Sequence, residues 1–139
     1  MFKEIFKKEN KNEFNNVLVV ALLIHAAKVD ENYTADEKKI IVKAVMNLNN
    51  IDLDKAEKLV KEAEEKEQLS NQIVEFTREI KKYPIEFRLK IIEIIWKIVY
   101  SDGTSDSYES NLIRRICGLL YISDKDNGII KNKIINQLK

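Results

Sequence analysis

Three observations predict an all-α fold for this 139-residue chain. Glycine (3 residues) and proline (1) are too scarce for the many tight turns of a β-rich fold. Apolar residues recur at spacings of three and four in one segment after another, and no useful length alternates with period two. Hydrophobic residues at 45% and charged residues at 34% suit an ordinary globular domain. The expected architecture is a bundle of about seven helices, one for each periodic segment. It forms a single domain over residues 14–139, behind a short extension over residues 1–13.

The extension mixes Phe2, Ile5 and Phe6 with Lys3, Lys7, Lys8 and Lys11. It reads as a frayed terminus with core-covering aromatics, or as a weak peripheral membrane contact. The first helix spans about residues 14–29, and Val17 to Ile24 is apolar on every side, the mark of a central helix. The second opens at Thr34-Ala35-Asp36-Glu37, a capping box, carries Ile40, Ile41, Ala44, Val45 and Leu48, and ends among Asn47, Asn49 and Asn50. Asp52 caps a third helix with the stripe Ala56, Leu59, Val60 and Ala63. Its other face, Glu67 included, reads as solvated charge laced with i,i+4 pairs. The fourth helix is expected over about residues 71–82 behind Ser70, burying Ile73, Phe76 and Ile80. Pro84 suits the first turn of the fifth, whose Leu89, Ile91, Ile92, Ile94, Ile95, Trp96, Ile98 and Val99 make it central too. The sixth, about residues 107–120, buries Leu112, Ile113, Ile116 and Leu119 or Leu120. Ser123 and Asp126 start the seventh, with Ile129, Ile130, Ile134 and Leu138 as its stripe.

The charge balance excludes several function classes. A net charge of +1, with no basic stripe along any helix, predicts no nucleic-acid binding. Cys117 stands alone, so no internal disulfide framework exists, and a reducing compartment is expected. The longest apolar run, residues 17–24, is far too short to span a membrane. The N-terminal sequence has no signal-peptide pattern, which makes cytoplasmic the expected location.

An internal repeat organises the chain. A shift of 72 positions carries Asp30 onto Asp102 and Glu37 onto Glu109. The flanking apolar residues follow: Leu22, Leu23 and Ile24 meet Ile94, Ile95 and Trp96, and Ile40, Ile41 and Ala44 meet Leu112, Ile113 and Ile116. Each copy is a buried helix, an acidic turn and an amphipathic helix, and the two are expected to pack about a pseudo-twofold axis.

The acidic turns are the candidate site. Glu37 and Glu109 fit the third position of a capping box, with Thr34 and Asp106 as N-caps. Asp30 and Asp102, at the ends of their helices, oppose the helix dipole unless following amides bond them or a cation holds them. Two readings stand: bare helix-turn structure, or a divalent cation, Ca²⁺ or Mg²⁺, held by Asp30 and Glu37 and by Asp102, Asp106 and Glu109. The loops are not EF-hands, because Gly103 comes second and Glu109 eighth. Gly103 allows close backbone approach, so the second turn is the preferred cation site. His25 reads as a core histidine with one hydrogen bond, and Cys117 lacks a partner to activate it.

The chain resembles the TerB (tellurite-resistance protein B) family in its stand-alone, small-protein form. The likeness rests on Ala27-Lys28-Val29-Asp30 with Glu37, Phe76-Thr77-Arg78-Glu79-Ile80, Arg88, and Trp96-Lys97-Ile98-Val99-Tyr100-Ser101-Asp102-Gly103. It continues through Tyr108-Glu109, Ile113-Arg114-Arg115-Ile116 and Leu119-Leu120-Tyr121-Ile122-Ser123. The resemblance implies a helical bundle, divalent metal at the acidic loop residues, a link to tellurite and other stresses, and no enzymatic reaction. The expected function is therefore a non-enzymatic scaffold or sensor with a protein partner and a divalent-cation site in its acidic turns. A metal-free protein–protein interaction module is the alternative, and a carboxylate-dependent hydrolase the third reading.

Overall fold

The computed structural model describes residues 17–28, 33–69, 72–102 and 107–138, with the side chains of 102, 107–109 and 138 outside that description. Within them the chain forms seven α-helices and no strand. Residues 17–27 are α1. The others are α2 (Ala35–Asn49), α3 (Leu53–Leu69), α4 (Ile73–Ile80), α5 (Ile85–Val99), α6 (Ser107–Leu119) and α7 (Asp124–Leu138), with a 3₁₀ turn, Tyr100–Asp102, after α5. Among these residues no helix is long and apolar enough to cross a membrane. The extension 1–13 lies outside the described residues.

The two helices predicted to be central are so. Residues 18–24 of α1 are all buried, and so are Ile91, Ile92, Ile94, Ile95, Trp96, Ile98 and Val99 of α5. The amphipathic helices lie around them: α2 packs on α3 and α5, α7 on α5, and α6 on α4, α5 and α7. Each supplies one apolar stripe, such as Ile41 and Val45 from α2, or Ile113, Ile116 and Leu120 near α6. This is the arrangement in which a helix apolar all round is enclosed by helices apolar on one side.

Local chemistry fixes the boundaries. Thr34 and Glu37 form a complete capping box: the Glu37 amide donates to the Thr34 hydroxyl (3.1 Å) and the Thr34 amide to Glu37 Oε1 (2.8 Å). Asp52 accepts from the Lys55 amide (2.9 Å) and Ser123 from the Asp126 amide (3.1 Å), as predicted. Asn50 closes α2 in the left-handed region at φ 53. Tyr121 (φ 57) does the same after α6, where the Ile122 amide donates to the Cys117 carbonyl (2.9 Å). Arg88 also holds that end, its Nη1 donating to the Leu120 carbonyl (2.6 Å) and its Nε to that of Tyr83 (2.9 Å).

Several expectations need correction. Helix α4 begins at Ile73 rather than residue 71, behind Gln72, whose side chain makes no cap bond; the expected cap Ser70 lies outside the described residues. Pro84 precedes α5 as its N-cap instead of occupying the first turn, and its carbonyl accepts from the Phe87 and Arg88 amides. Ile129 is exposed, because α7 turns Asn127, Ile130 and Ile134 inward. Asn127 is placed there by Trp96, whose indole N–H donates to its Oδ1 at 2.9 Å. The 72-residue repeat remains a relation between sequences, since the turns that define it fall largely outside the described residues.

Candidate functional site

The end of α1, the start of α2 and the second half of α3 bring charged side chains together. In α3 the inward positions Ala56, Val60 and Ala63 recur at spacings of four and three, and the next step of that series is Glu67. Glu67 is consequently buried, with its side chain 7% exposed, and it faces α1. Lys28 Nζ donates to Glu67 Oε2 at 2.8 Å, and His25 Nδ1 lies 3.3 Å from Oε1. One oxygen serves each partner. A buried carboxylate is tolerated when paired in this way, and the pairs fasten α1 to α3. The assignment of Glu67 to a solvated face is thereby overturned. His25 is part-exposed rather than enclosed, with its ring tilted against Phe76 at 6.2 Å between centroids.

On the α2 side, Glu37 is 6% exposed and Thr34 orients one of its oxygens. Lys38 bridges to Glu64 of α3 at 3.2 Å. The Tyr33 hydroxyl is buried among these groups without a hydrogen bond of ordinary length to the described residues. Burial first, then the negative charge of Glu64 and that of Glu37, hold the Tyr33 proton far more firmly than in water.

Of the predicted cation ligands, Glu37 is the one whose side chain is described. Asp30 and Asp106 lie outside the described residues, as do the side chains of Asp102 and Glu109. The backbone places Asp102 at the end of the 3₁₀ turn and Glu109 third in α6, the position Glu37 holds in α2. Among the described residues no three His, Cys, Asp or Glu side chains lie close enough to hold a metal ion. Cys117 is buried, and that burial, with the Asp124 charge second, pushes its thiol up to about 12. It stays protonated at neutral pH.

Sequence reasoning missed Glu67 and its two partners, Lys28 and His25. The signal was present in the α3 stripe, which continues past Ala63 onto a charged residue. With the geometry in place, comparison with known proteins adds one finding. The family model described as tellurite resistance protein TerB matches residues 16–132. Comparison with curated proteins and with solved structures returns no match.

Proposed function

The chain belongs to the TerB family, and on that premise we propose that it is a non-enzymatic, stress-related helical domain of the cytoplasm. It acts as a scaffold or sensor and holds a divalent cation, Ca²⁺ or Mg²⁺, in its acidic turns. The ligands of this reading are Asp30 and Glu37 in the first turn and Asp102, Asp106 and Glu109 in the second. Glu37 carries the reading. It is a carboxylate only 6% exposed, seven positions after Asp30 in the sequence and close enough, with Glu64, to act on the Tyr33 proton. Glu64 is paired with Lys38, so the buried Glu37 carboxylate is the anion whose charge a hard cation with oxygen ligands would offset.

The experiment is a thermal melt of the full chain with and without Ca²⁺ or Mg²⁺. A ligand bound by the folded state alone stabilises it by about 2.7 kcal/mol at a hundredfold excess over Kd. The expected outcome is a rise in Tm that Asp102→Asn diminishes more than Asp30→Asn. Unchanged melting at millimolar cation defeats the reading.

The metal-free interaction module keeps a specific support of its own. The complete Thr34–Glu37 capping box gives Glu37 a structural task without any ion. A hydrolase has less support, since Glu67 is occupied by Lys28 and His25 and Cys117 is a buried thiol.

A further inference from the structure

Helices α2 and α3 form a hairpin whose inner faces close on the core, while their outer seam is open. A groove of about 930 Å³ runs along that seam. Its floor is apolar, made by Ala35, Val42 and Met46 of α2 and by Leu53 of α3, which is 50% exposed. Its rim is lysine-rich on both sides, with Lys39 and Lys43 on the α2 wall and Lys58 and Lys61 on the α3 wall. All four are exposed, and none forms an ion pair among the described residues. Lys38 and Glu64, which also line the groove, neutralise each other. Asp54 and Glu57 are the other carboxylates of the lining, so cations remain in excess.

We propose that this groove docks an acidic amphipathic helix from a protein partner. The partner's apolar stripe would lie on the floor, and Asp or Glu on its flanks would meet the four rim lysines. A seam between two packed helices is concave and admits a third helix at about 8–10 Å from each axis. A flat anionic membrane would touch the rim and leave the floor uncovered. Helix α2 has 15 residues, about 22 Å, so the partner helix needs about four turns with anchors at i, i+4, i+7 and i+11. Unpaired rim charges add attraction and select the sign of the partner. The inference supplies a partner class for the scaffold reading and requires no cation.

The test uses the full chain, ¹⁵N-labelled, in the presence of a chelator, so that failure of cation binding leaves it unaffected. The probe is a synthetic helical peptide of about five turns, with leucine at the anchor positions and glutamate on both flanks. A peptide with lysine in place of each glutamate is the control. The expected result is saturable shifts confined to residues 35–46 and 53–64. Binding should weaken at least about tenfold for the lysine peptide and for Lys39→Glu combined with Lys43→Glu, and should weaken with salt. Lys58→Glu with Lys61→Glu alters the opposite wall and guards against a misfolded first variant. The proposal is overturned by equal binding of the lysine peptide, by no saturable shifts at millimolar peptide, or by shifts elsewhere. Equivalent shifts with phosphatidylserine vesicles would make the occupant a membrane surface. The same shifts on raising protein concentration alone would make it a second copy of the chain. Either result also overturns the proposal.

Discussion

Replacing Glu67 with glutamine keeps the volume and one acceptor but removes the anion that Lys28 and His25 both address. A hydrogen bond to a charged group contributes about 1.5–3 kcal/mol. Here the carboxylate is 7% exposed, whereas Lys28 and His25 are 31% and 22% exposed, so water takes over part of the solvation of both partners. The expected loss for Glu67→Gln is therefore about 1–2 kcal/mol, at or just below the lower end of that range. Glu67→Ala should lose about 1 kcal/mol more, because it also opens space beneath α1. A double-mutant cycle with Lys28→Met isolates the pair, and a coupling of about 1 kcal/mol is expected from urea unfolding followed by circular dichroism. A coupling below about 0.3 kcal/mol, within the scatter for independent sites, would refute the claim that this carboxylate fastens α1 to α3.

Three further outcomes are expected. Ile95 is fully buried in the central helix, so Ile95→Ala should cost about 2–5 kcal/mol in urea unfolding; a loss below about 1 kcal/mol would make α5 peripheral. Cys117 ionises near 9.0 in the unfolded chain and near 12 when folded, so stability should fall as pH rises through that window, as the unfolded thiol alone loses its proton. Cys117→Ala should flatten this fall, and a disulfide reagent should modify the wild-type thiol only as fast as the protein opens. Tyr121 sits at φ 57 and is 71% exposed, so Tyr121→Gly should stabilise by about 0.5–1 kcal/mol through relief of the left-handed strain. A destabilised variant would show that the tyrosine ring contributes more than its exposure suggests.

What the sequence made legible was local. Thr34 with Glu37, Asp52 and Ser123 cap their helices because a cap needs only residues within one turn, and the apolar runs of α1 and α5 mark a centre whatever surrounds them. Partners from distant segments were not legible. Glu67 looked like one more charge in an acidic and basic helix until Lys28 and His25, about forty positions away, gave it a buried place. Ile129 was assigned to the core because it is apolar, yet α7 turns Asn127, which accepts from the Trp96 indole, and Ile134 inward and leaves Ile129 outside. At Gln72 the helix starts without a side-chain cap, so nothing local marked the boundary. The candidate site was legible as spacing: Glu37 occupies the third position of its helix, and Glu109 the same position in α6. The lysine-rimmed groove was not, because it exists only once α2 and α3 lie side by side.

The most direct test of the central claim is a titration of the ¹⁵N-labelled full chain with Ca²⁺ and with Mg²⁺, read at single amides. The account predicts saturable shifts concentrated at residues 30–37 and 102–109, strongest in the second turn and abolished there by Asp102→Asn. Amides at both turns that stay unmoved at millimolar concentrations of either ion would contradict it, and the turns would then be helix caps alone.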